Sequence, residues 1–167
     1  MIGNIILFER NKHDKIAFIL TKLLKLFYKN YDGWGWHMGI VASRTTDGKD
    51  LWVLEATWPT SKLTLLSQMG KYRSYQWLDV INMNKHYEFV NSHIGKKYDI
   101  LLYPWTTIQY LFRHYWNRPI PRLLDDRFTC WELATEYCEF MGKRMVSKYD
   151  CPILPEIVTK LNQSMEE

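Results

Sequence analysis

The sequence predicts an α+β fold in which an antiparallel sheet packs against helices. Three observations point that way. The apolar patterns run in the order strand, helix, several strands and then helices, with no regular strand–helix alternation of the kind a doubly wound sheet requires. An Asp47-Gly48 pair separates two apolar runs, HMGIV and LWVLEA, as in a β-hairpin. Near the far end, FTCWELATEYCEFMG combines a helix-start signal with a glycine stop.

Taken in order, residues 3–8, GNIILF, form a short apolar strand. HDKIAFILTKLLKLFYKN then sets Ile16, Ile19, Leu20, Leu23, Leu24 and Phe27 at helical spacing, with lysines 15, 22, 25 and 29 mostly off that face. This is a helix packed on the sheet or, as the rival, a basic amphipathic helix in peripheral contact with a membrane. Strands are expected at 36–43, 51–58, 62–67 and 74–81. Asn84 precedes a helical segment, KHYEFVNSHIG, that stops at Gly95. Residues 98–127 are rich in rings and arginine and broken by Pro104, Pro119 and Pro121, with room for a short helix at 106–116. The last clear helix starts near Thr129 and ends at Gly142. With no repeat and no Gly/Ser linker, 1–167 reads as a single domain.

Composition narrows the class. Of 167 residues 47% are apolar and 16% aromatic, enough to bury a core without disulfides or metal. A net charge of +4, with no run of basic residues, gives little support to nucleic-acid binding. Cys130, Cys138 and Cys151 form neither a disulfide framework nor a CxxC metal knuckle, so no metal or cofactor is expected and a reducing compartment is. The N-terminal apolar run is too short for a signal-peptide core, and no stretch reaches the ~20 apolar residues of a spanning helix. The expected location is the cytoplasm.

Two strands each carry one polar residue where a plain core strand would not, His37 and Glu55. A two-residue Asp47-Gly48 loop would set His37 opposite Trp58 and put the two groups on opposite faces. A three-residue loop of Thr46, Asp47 and Gly48, with the glycine left-handed, would set Glu55 opposite Gly39 and His37 diagonally beside it. Diagonal neighbours lie ~7–8 Å apart, and Gly39 would leave the space between them open. The sequence permits both registers; only the second joins imidazole to carboxylate. A carboxylate on one ring nitrogen leaves the other as a base.

A nucleophile stands further along. Thr129 and Glu132 have the spacing of a capping box, which makes Cys130 the first helical residue. Thiols at helix N-termini ionise more readily, a nearby histidine completes the activation, and the exposed amides face a developing oxyanion. Cys138 reads as core, and Cys151 as a structural residue in the tail.

With these positions in view, the chain resembles the circularly permuted papain-like cysteine hydrolases, the YiiX/YaeF-like branch of the NlpC superfamily. The resemblance covers most of the chain through GNIILF, HMGIV, VLEA, GKKYD and TCWEL, in that order. It implies a permuted papain-like domain with Cys130 as nucleophile, His37 as general base and then acid, and Glu55 orienting His37. Tyr98 and Asp99 match the family's YD element near the substrate groove, and Trp36, Trp105 and Trp131 join Tyr98 as substrate-contact candidates. Two features depart from the family pattern: Trp131 stands where a small residue is common, and the stretch between Asp99 and Phe128 is long. That stretch is expected to form a wall or lid of the site.

The implied activity is hydrolysis of an amide, peptide or isopeptide, through a thioester. The alternatives are lipid acyl transfer of the lecithin retinol acyltransferase type and a binding module that has kept the fold without the chemistry. The basic helix at 13–30 and the rings Tyr103, Trp105, Tyr110, Phe112, Tyr115 and Trp116 favour the former of these two.

Overall fold

The first strand, β1 (Ile5–Phe8), has all four side chains buried, which explains an unbroken apolar run where a half-exposed strand would alternate. Ile5 and Leu7 join one core cluster, Ile6 and Phe8 another, so this strand is covered on both faces. In the computed structural model, which describes residues 1–9, 22, 37–98, 127–145 and 154–163, β1 belongs to a five-stranded antiparallel sheet.

The other strands are β2 (His37–Arg44), β3 (Leu51–Glu55), β4 (Lys62–Leu65) and β5 (Tyr72–Tyr75), in the spatial order β4-β3-β2-β1-β5. A 3₁₀ turn at Leu66–Gln68 follows β4. Helices α1 (Met83–His93), α2 (Cys130–Phe140) and α3 (Leu154–Gln163) complete the described elements with a short parallel pair, β6 (Lys97–Tyr98) and β7 (Arg127–Phe128). The architecture is α+β, as expected.

Helices cover one face of the sheet. Met38, Ile40 and Leu54 project from the strands into the cluster that holds Phe89 of α1, Leu133 and Tyr137 of α2, and Ile157 of α3. The other face carries Val41, Leu51 and Val53 with Ile6, Phe8 and Leu66. Period-two alternation assigns His37, Gly39 and Glu55 to this second row.

The β2–β3 connection corrects the expected turn. Thr45 N–H donates to Asp50 O at 3.0 Å and Gly48 N–H to Thr45 O at 2.9 Å, so the loop runs from Thr46 to Lys49. Gly48 is left-handed (φ +70°), but the register change is not made there. Arg44 pairs with Leu51 and Ser43 with Trp52; Ala42 is then bulged out, and Val41, Ile40 and Gly39 face Val53, Leu54 and Glu55. Gly39 does oppose Glu55, by a bulge inside β2 and not in the loop.

Other boundaries shift for local reasons. Strand β3 stops at Glu55 and β5 at Tyr75, short of the expected 58 and 81; β5 ends where its partner β1 begins, at the Ile5–Tyr75 pair. Helix α1 is capped by Asn82, not Asn84: the Asn82 side chain accepts from the amides of Asn84 and Lys85 at 3.1 and 3.2 Å. Gly95, at φ +81°, follows its end. Helix α3 was not foreseen, although Ile157, Val158 and Leu161 make a buried stripe at helical spacing. Apart from Lys22, the helix expected near 13–30 lies outside the described residues, as does the one at 106–116. No described helix is long and apolar enough to cross a membrane.

Candidate active site

Three elements deliver the three expected catalytic side chains. His37 opens β2, Glu55 closes β3, and Cys130 opens α2. Because Gly39 opposes Glu55, His37 is Glu55's diagonal neighbour, and the two side chains meet: His37 Nε2 lies 2.6 Å from Glu55 Oε2. This leaves Nδ1 as the second ring nitrogen. The space beside Gly39 is not open as expected. A β-carbon there would stand 2.5 Å from Val53 Cγ1 and 3.1 Å from Leu54 O, with the Phe8 ring next. Glycine is required for close strand approach.

Cys130 couples to this pair. Burial alone would lower the His37 pKa, but the interaction with Cys130 outweighs that, and Glu55 adds its hydrogen bond and charge. The net effect lifts His37 from 6.5 to about 10. Burial pushes Glu55 up, but the hydrogen bond and charge of His37, with Thr64 and Lys62 behind them, hold it below its ordinary range. The arrangement favours a protonated His37 ring held against an ionised Glu55.

The helix start is built as its spacing predicted. Glu132 N–H donates to Thr129 Oγ1 at 3.4 Å, while Glu132 Oε2 accepts from Thr129 N–H and Oγ1–H, each at 3.0 Å. This capping box fixes the chain direction into α2, and none of its bonds uses the Cys130 amide. Cys130 is 1% exposed, whereas the His37 side chain is 26% exposed, so the histidine is the member that reaches solvent.

Thr64 is a member of this constellation that the hairpin reading missed. Its hydroxyl donates to Glu55 Oε1 at 2.5 Å, so each carboxylate oxygen has a partner. Lys62 stands directly across from Glu55 on β4, adding positive charge. Lys62 and Thr64 share one face of β4 by alternation, but only the pairing of β4 with β3 sets that face beside Glu55.

The proposed contact residues fare differently. Tyr98 ends β6, half-buried, with its amide on Pro59 O at 3.0 Å. Trp131 is 4% exposed and sits in the helix-side core, a packing position and not an open wall of a cleft. Trp36, Asp99 and Trp105 lie outside the described residues, as do Cys151 and residues 99–126, the bulk of the proposed lid. Cys138 is fully buried, and burial pushes its thiol well above the ordinary range. Among the described residues, no three His, Cys, Asp or Glu side chains converge to hold a metal ion.

No protein-family model matches the chain, and no curated protein matches it.

Proposed function

We propose that this protein is a cysteine hydrolase of permuted papain-like fold that cleaves an amide bond, in a peptide or isopeptide, through a thioester on Cys130. One observation carries the reading: the His37 ring engages Glu55 at 2.6 Å and couples to a cysteine at a capped helix start. Buried structural histidines do not need a thiol partner, and buried core cysteines do not need a base.

The chemistry follows from that placement. The Cys130 thiolate attacks the carbonyl carbon, a C–S bond forms, and the carbonyl π-electrons move onto oxygen. The amides at the start of α2 and its helix dipole oppose that negative charge. His37 gives its Nδ1 proton to the leaving nitrogen as the C–N bond breaks, which leaves a neutral imidazole and a thioester. His37 then takes a proton from water, the hydroxide adds to the thioester, and collapse expels the thiolate beside a reprotonated imidazolium. Glu55 stabilises the cationic ring in both half-reactions and holds Nε2 so that Nδ1 faces the sulfur. Thr64 holds Glu55.

A panel of peptidyl and acyl thiol-reactive probes, read by intact mass and peptide mapping, tests this reading. One adduct on Cys130, lost in Cys130→Ala and His37→Ala, with amide substrates turned over to free acid, is the expected result. Acyl-Cys130 that discharges only to an alcohol or amine acceptor would replace hydrolysis with acyl transfer. Absence of any Cys130 adduct would overturn both.

A further inference from the structure

We propose that His86 is a positioning residue for the triad: by binding the carbonyl of the bulged Ala42, it locks β2 in the one register that brings His37 to Glu55. The inference rests on the proposed hydrolase for its kinetic consequence, but its structural consequence stands independently.

The register near the loop is not the register at the site. Ser43–Trp52 pairing, continued without interruption, would bring Ile40 opposite Glu55. Ile40 points into the helix-side core, so the carboxylate would be forced into an apolar layer and away from His37. The bulge at Ala42 cancels that slip by one residue. Bulges, however, leave the backbone groups of the extra residue out of the ladder. Ala42 is 2% exposed, and a buried carbonyl must find a donor elsewhere.

His86 supplies it from α1. Its Nε2 lies 2.7 Å from Ala42 O and its Nδ1 2.8 Å from the Tyr137 hydroxyl. A carbonyl oxygen only accepts, so Nε2 carries the proton; on a neutral ring Nδ1 then accepts from Tyr137. Both side chains are fully buried, and burial holds His86 below its ordinary pKa, consistent with the neutral form. Every donor and acceptor of the ring is used.

The network also reaches the nucleophile's helix. Tyr137 lies two turns along α2 from Cys130, on the same side of the helix. One imidazole therefore ties the bulge in the histidine strand to the helix that begins with the cysteine. On the other edge of β2, Gly3 N–H donates to Val41 O at 2.8 Å and Val41 N–H to Asn4 O at 3.0 Å, which pins the residue before the bulge. Gly3 also admits Tyr137: a β-carbon there would stand 2.7 Å from the hydroxyl.

The test compares His86→Gln, whose amide nitrogen can still donate to Ala42 O, with His86→Leu, which fills similar space without a donor. The readouts are the far-downfield His37 Nε2 proton expected of a short bond to Glu55, kcat on a cleavable substrate, and Tm. The expected result is that His86→Leu loses the His37 signal and about 100-fold in kcat at temperatures where it is folded, as a misplacement of about 1 Å would cause, while His86→Gln keeps the signal and most of the turnover. A folded His86→Leu protein with the His37 signal and kcat intact would make His86 mere packing and overturn the proposal. If His86→Leu does not fold, the wild-type tautomer decides: long-range ¹⁵N–¹H correlation should find His86 protonated on Nε2, and a proton on Nδ1 instead would overturn the clamp. A wild-type protein with the His37 signal but no turnover on any substrate would count against the hydrolase and leave the clamp standing.

Discussion

Replacing Glu55 by Gln removes a charge and little else. The amide oxygen can still accept from His37 Nε2–H, and its NH₂ can turn toward Thr64, so the packing around a residue 7% exposed is kept. What changes is the nature of the 2.6 Å bond. Hydrogen bonds to charged groups contribute about 1.5–3 kcal/mol and neutral ones about 0.5–1.5, a difference of about 1–2 kcal/mol. That difference should move the His37 titration midpoint, about 10 in the wild type, down by about one pH unit. The assay is ¹H–¹³C NMR of the His37 ring across pH, run on wild type, Glu55→Gln and Cys130→Ala. Both variants should lower the midpoint, since each removes a group whose interaction raises the His37 pKa. The same pair sets a stability window. A raised His37 pKa stabilises the fold fully below 6.5 and loses that contribution as pH climbs through about 10. A depressed Glu55 pKa stabilises it above 4.5 and loses that contribution on acidification. The stability gap between wild type and Glu55→Gln should therefore be widest between 4.5 and 6.5 and shrink toward pH 10. A His37 midpoint near 6.5 in the wild type, or one that Glu55→Gln leaves unmoved, would refute the reasoning.

Three further substitutions follow from the geometry. Gly39→Ala puts a β-carbon 2.5 Å from Val53 Cγ1; calorimetry should show a loss of about 1–3 kcal/mol, accompanied by weakening of the His37–Glu55 signal as the strands part. Thr64→Val strips the donor from Glu55 Oε1 and should cost about 1.5–3 kcal/mol, with a fall in turnover that Thr64→Ser largely restores. Thr129→Ala breaks the capping box; urea unfolding should register a loss of about 1 kcal/mol, with Thr129→Ser close to wild type.

Much of the site was legible because each signal was local. The T-x-x-E spacing marked the cap at Thr129, and Gly142, left-handed at φ +98°, marked the end of α2. Gly39 opposite Glu55 could be chosen because the rival register separates the histidine from its carboxylate. How the chain makes that register was not legible. The bulge at Ala42 depends on a donor 44 residues away on another element, and nothing in ASRTTDGKD announces it. Thr64 was missed for a related reason: its role appears only once a third strand is laid beside the hairpin. The start of α1 lay two residues earlier than expected, because the Asn82 side chain takes the amides of Asn84 and Lys85. Trp131, a candidate by its place next to Cys130, lies in the helix-side core together with the cysteine, a burial that adjacency in sequence does not reveal.

The most direct measurement is the alkylation rate of Cys130 relative to Cys138 in one sample, by iodoacetamide at neutral pH with peptide mapping, in wild type and His37→Ala. Cys138 serves as the internal standard, since it is buried on the same helix and burial pushes its thiol well above the ordinary range. An activated nucleophile predicts that Cys130 reacts first in the wild type and loses about 100-fold of that advantage without His37, the scale of general-base assistance. Equal labelling of the two thiols, or a Cys130 rate indifferent to His37, would contradict the triad.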